Sequence, residues 1–76
     1  MDTIRSVKLD GRRLMRARES KLMSRQELAD KAGLHLDHLA RMERGEIAHP
    51  HMRTIRRLVD ALEDVPVGEI TAAEDE

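Results

Sequence analysis

One arrangement occurs three times before residue 40: a large apolar residue, an Asp, Ser or His directly after it, and a second large apolar residue five positions past the first. Leu9, Asp10 and Leu14 make the first copy, Met23, Ser24 and Leu28 the second, and Leu34, His35 and Leu39 the third. At a helix start the middle residue is the N-cap, whose side chain accepts from an N–H left unpaired in the first turn. The two apolar residues then close over it as a hydrophobic staple. Glu27, three residues after Ser24, completes a capping box. Stop signals follow at Gly33 and Gly45, since a residue without Cβ takes the left-handed conformation at a helix end with least strain. The chain is thus punctuated into short helices over 10–45.

A fourth helix follows Pro50, with Met52, Ile55, Leu58, Val59 and Leu62 on one stripe and Arg53, Arg56 and Arg57 off it. Pro66 opens a short fifth helix ending near Ile70. Residues 1–9 alternate weakly and read as an N-terminal arm or a short strand, whereas 71–76 have nothing to bury and read as an acidic, disordered tail. The expected architecture is all-α, a compact five-helix domain over 10–70. With no Cys and no aromatic residue among 76, Leu, Ile, Val, Met and Ala must build its core, and Met15, Met23, Met42 and Met52 read as gap-fillers. The same absences exclude disulfides, thiolate metal sites, a Cys nucleophile and the stacking platforms that single-stranded nucleic acid requires. Apolar runs are shorter than four residues, so neither a membrane span nor a signal peptide is expected, and the location expected is cytoplasmic.

Charge divides the chain. All fourteen Lys and Arg lie at or before Arg57 against eight acids, a net +6, while seven acids and no bases follow. A basic body suits a polyanion, although solvated surface charge accounts for the same pattern.

The segment Arg25–Arg44 is the most specific. Two helices crossing steeply through a short turn need a small residue at their contact, a Gly in the turn and apolar residues facing inward. Ala29 is the small residue, Gly33 the turn, and Leu28, Ala32, Leu34, Leu39 and Met42 the inward positions. With the Leu14…Arg18 opening, Ser24-Arg25-Gln26-Glu27-Leu28-Ala29, Gly33-Leu34, the Leu39…Glu43-Arg44-Gly45 close and the Ile55–Leu62 helix, the chain from Asp10 to Ile70 resembles the phage-repressor-like helix-turn-helix family of Xre, Cro and repressor N-terminal domains. The resemblance implies five α-helices, a homodimer on a roughly palindromic operator, and a structural pair between Arg18 and Glu43; the alternative is that both charges are solvated. Four departures from the family's pattern stand out: Leu22 in place of Gly, Arg25 in place of Gln, His35 in place of a Ser or Thr cap, and the apolar-acidic pair Leu36-Asp37. These bear on sequence preference more than on fold.

With Leu34, Leu39 and Met42 inward, the outward face of the third helix holds Leu36, Asp37, His38 and Arg41, the expected base readers in the major groove of double-stranded DNA. Arg41 suits guanine O6 and N7 or a phosphate, Leu36 a thymine methyl, and Asp37 a cytosine amino group. Phosphate contacts are expected from Ser24 and Arg25 at the start of the second helix, and from Arg44 and His49 after the third. Arg12, Arg13 and Arg16 read as solubilising charge, and Val65, Val67 and Ile70 as a dimer surface to which the arm could add. The four histidines, His35, His38, His49 and His51, match no established zinc spacing and suit phosphate or water better, so neither metal nor cofactor is expected. No catalytic constellation is present: Ser20 and Ser24 lack a paired base. The expected function is a repressor-type transcriptional regulator. The rival is an antitoxin or other protein-interaction module on the same fold, which would bury Leu36 against a protein partner.

Overall fold

The structure is a computed structural model and describes residues 8–72. Most of the expected arm (1–7) and part of the expected tail (73–76) lie outside the described residues. The elements are β1 (Lys8–Leu9), α1 (Gly11–Ser20), α2 (Arg25–Ala32), α3 (Leu36–Glu43), α4 (Met52–Ala61), a 3-10 turn (Val67–Glu69) and β2 (Thr71–Ala72).

Two of the three expected caps form as read. Asp10 accepts from the N–H groups of Arg12 and Arg13 at 3.0 and 3.1 Å. The Ser24 hydroxyl accepts from the Glu27 N–H at 3.0 Å while Glu27 Oε1 accepts from the Ser24 N–H at 2.8 Å, the full capping box. His35 stands at the N-cap of α3, but its side chain makes no capping bond.

The four α-helices of the described residues stop in the same way. In each, the residue two beyond the last turn reaches back across it: Met23 N–H to Arg18 O, Leu34 to Ala29, Glu46 to Arg41 and Asp64 to Val59, at 2.9–3.2 Å. The residue before each bonds the next carbonyl along, which makes four Schellman motifs. The motif demands a left-handed residue, and only Gly33 (φ 71°) and Gly45 (φ 84°) are glycines. Leu22 (φ 58°) and Glu63 (φ 63°) adopt it with a side chain, at a cost of about 1–2 kcal/mol each.

The core joins Leu14 and Ala17 of α1, Leu28, Ala29 and Ala32 of α2, Leu39 and Met42 of α3, and Ile55, Leu58 and Ala61 of α4, together with Leu9, Leu62 and Ile70. α2 packs against both α3 and α4, and α1 against α3. Gly11 is buried where α1 begins: a Cβ there would stand 2.5 Å from Glu43 O and 2.6 Å from Met42 O, so the last turn of α3 rests on the α1 backbone itself.

Several expectations need correction. Among the described residues there are four α-helices, not the five expected. After Pro66 only a three-residue 3-10 turn forms, with Glu69 N–H bonding Pro66 O at 2.8 Å and Ile70 N–H bonding Val67 O at 3.1 Å. Ile70 O then accepts from Asp10 N–H at 2.9 Å, so the carbonyl that would extend a helix is drawn into strand pairing. Thr71 and Ala72 consequently are not a free tail. They pair antiparallel with Leu9 and Lys8, and Thr71 is buried with its hydroxyl donating to Val67 O at 2.9 Å. Ile70 is fully buried and unavailable as a dimer surface. Arg13 ties α1 to this corner by donating from Nη1 to Gly68 O (3.2 Å) and Thr71 O (3.0 Å), a structural role in place of mere solubilisation. Met52 is 54% exposed and fills no gap, because it sits on the first, outward turn of α4.

Candidate nucleic-acid interface

α3 has two unlike sides. Leu39 and Met42 are fully buried and Glu43 nearly so, while Leu36, Asp37 and Arg41 are exposed. Of the four expected base readers, His38 alone is half-buried.

Glu43 anchors the inner side. Arg18 donates to it twice, from Nε to Oε2 at 2.7 Å and from Nη2 to Oε1 at 3.1 Å, and donates from Nη1 to Met23 O at 3.0 Å. This is a two-pronged guanidinium–carboxylate contact between residues both less than a tenth exposed, and it ties α1 to α3. The solvated alternative for these two charges is therefore not what the structure holds. Arg25, the first residue of α2, adds a third prong: its Nε donates to Glu43 Oε1 at 3.1 Å. Its side chain stays about half-exposed, at the N-terminus of α2. There the capping box occupies the N–H groups of Ser24 and Glu27. Those of Arg25 and Gln26 have no acceptor among the described residues, so they and the Arg25 guanidinium present donors to an anion.

A second glutamate lies beyond the end of α3. Arg44 donates from Nε to Glu46 Oε2 at 2.8 Å and from Nη2 to Oε1 at 3.4 Å, and Arg41 Nε stands 3.4 Å from the same Oε1. All three side chains are exposed. The hydrogen bond from Arg44 holds the Glu46 carboxyl below the usual carboxylate range, and that bond in turn raises the Arg44 guanidinium. Arg41 and Arg44, expected at base and phosphate, thus share one internal partner. His49 is exposed on the loop before α4, and among the described residues no three His, Asp or Glu come together as a metal site.

Three contributors escaped the sequence reading. Gly11 follows a cap and looks like any first-turn residue; only the α1–α3 approach gives it meaning. Arg13 lies on a charged helix face, with its acceptors more than fifty residues away. Glu46 did leave a signal: the residue after a Gly helix stop folds back over the last turn, which here ends in Arg41 and Arg44.

The family model described as helix-turn-helix matches residues 14–70, three-quarters of the chain. The chain belongs to the Xre/Cro-like helix-turn-helix family. As an Xre/Cro-like protein it is a DNA-binding regulator, of a family that is not typically enzymatic. The matched region runs from Leu14 of α1 to Ile70 and takes in α2, the Gly33 turn and α3. No curated protein matches the chain. No helix among the described residues is long and apolar enough to cross a membrane.

Proposed function

We propose that the protein is a sequence-specific, repressor-type transcriptional regulator that reads the major groove of double-stranded DNA with α3, as a homodimer. One observation carries the reading: α3 is held entirely by its inner side, through Leu39, Met42 and Glu43, which leaves Leu36, Asp37 and Arg41 facing outward. His38, half-buried, borders that face. Ser24, Arg25, Arg44 and His49 flank it as phosphate contacts. A homodimer places two copies of α3 in successive major grooves about 34 Å apart. Val65 and Val67 remain as candidates for its contact, since Ile70 is enclosed.

Selection of genomic fragments at two salt concentrations tests this. Recovery of a roughly palindromic sequence is expected, and with about six phosphate contacts log K against log[salt] slopes at about −5. Arg41→Ala should weaken the recovered site and relax preference at one position by about 1–3 kcal/mol. Unchanged affinity and preference in that variant would remove α3 as the reader.

The second reading, an antitoxin-like protein-interaction module, is favoured by Leu36, an apolar side chain 41% exposed beside Asp37. Absence of any duplex binding at low ionic strength, together with capture of one protein partner that Leu36→Ala abolishes, would put that reading first.

A further inference from the structure

The outward end of α3 carries its own counter-charge, and the way it is held there is unusual for a surface ion pair. Glu46 is placed by its backbone: its N–H bonds Arg41 O at 2.9 Å as the closing bond of the Gly45 Schellman motif. In that motif the residue after the Gly stop meets a residue of the last turn, commonly through an apolar contact. Here that pair is Glu46 and Arg41, with Arg44 forked onto the same carboxylate. The backbone thus brings Glu46 within reach of the arginines, while the three exposed side chains keep the ordering cost and water competition of any surface pair, which leaves the contact exchangeable. Asp37, two turns before Arg44, adds a smaller field to that guanidinium. Two cations and two carboxylates therefore balance on the face offered to DNA.

A carboxylate forked by guanidinium presents the geometry that a phosphate oxygen pair would present. We propose that Glu46 acts as an internal phosphate surrogate, occupying Arg41 and Arg44 on non-cognate DNA and yielding them only where a cognate site offers better acceptors. Glu46 is a positioning residue that sets the ratio of specific to non-specific binding. The inference rests on the DNA-reading role of α3. Non-specific affinity follows the number of phosphates neutralised, and two cations already neutralised internally do not count toward it. On a cognate site, a guanine edge opposite Arg41 and a fixed phosphate opposite Arg44 repay the exchange.

The test compares wild type with Glu46→Gln, which keeps shape and removes charge, on two probes: a mixed-sequence duplex two helical turns long and the fragment recovered by selection. On the mixed-sequence duplex, release of two arginines per protomer should steepen the salt slope by about 2 per protomer. The affinity advantage of the variant monomer on that duplex should then shrink about tenfold between about 50 and about 200 mM salt. On the selected fragment the gain should be smaller, so the specificity ratio falls. The thermal midpoint should stay unchanged, and Glu46→Asp should restore part of the wild-type slope. Glu46→Gln is also made in an Arg41→Ala, Arg44→Ala background, where its effect should vanish. If wild type binds DNA but Glu46→Gln behaves identically, Glu46 has no part in binding, and if the effect persists without the two arginines it acts only as bulk charge; either outcome overturns the surrogate role. If neither protein binds either duplex at low salt, the DNA reading itself fails.

Discussion

Two glutamates three residues apart each hold two arginines, and they do opposite work. Glu43 receives Arg18 and Arg25 inside the α1–α3 junction, where its carboxylate is almost closed to water. Glu46 receives Arg44 and Arg41 in the open, where water and salt compete for every bond. The same functional groups at similar distances differ in consequence because desolvation makes the inner set all-or-nothing, whereas the outer set is exchangeable. The inner triad fixes how α3 stands; the outer one governs what α3 offers.

Substitutions can break this contrast. Glu43→Gln should have the largest effect, since it leaves the buried Arg18 guanidinium without its counter-charge. A loss of about 3–5 kcal/mol is expected, lowering the thermal midpoint by at least about 12 °C. Glu46→Gln, followed by the same circular-dichroism melt, should leave the midpoint where it was. Equal melts for the two variants would erase the distinction. Gly11→Ala attacks the same inner junction without touching a charge. Its methyl group would meet two backbone carbonyls of α3, atoms that no side-chain rotation can move, so about 1–3 kcal/mol of destabilisation is expected in urea unfolding. Leu22→Gly sharpens the comparison from the other direction. Leu22 is 91% exposed and left-handed, in the turn that presents Met23 O to Arg18. Relief of about 1–2 kcal/mol of backbone strain, offset by the greater freedom of glycine in the unfolded chain, should stabilise by roughly 0.5–1 kcal/mol. DNA binding should be unaltered.

What was legible in the sequence was whatever closes within one turn or repeats at helical spacing. The Ser24–Glu27 box, the Asp10 cap and the Gly33 stop span three or four residues, and their chemistry admits few alternatives. The inward positions of α2 and α3 were legible for the same reason. Thr71 was misread because its partner, Leu9, is more than sixty residues away in a ladder too short to show alternation. The fifth helix failed because a Pro-led start carries no information about where the next carbonyl will be claimed, and Asp10 claims that of Ile70. At the site, the exposure of Arg41 followed from periodicity, but its partner Glu46 lies past the helix, where periodicity no longer applies.

The short clasp between Lys8–Leu9 and Thr71–Ala72 has a further consequence. Lys8 faces Ala72 across the ladder, so residues more than sixty positions apart in sequence are joined side by side. The two halves of the clasp therefore stand or fall as one, and the Asp10 amide, bonded to Ile70 O, should lose its protection against hydrogen exchange whenever they part.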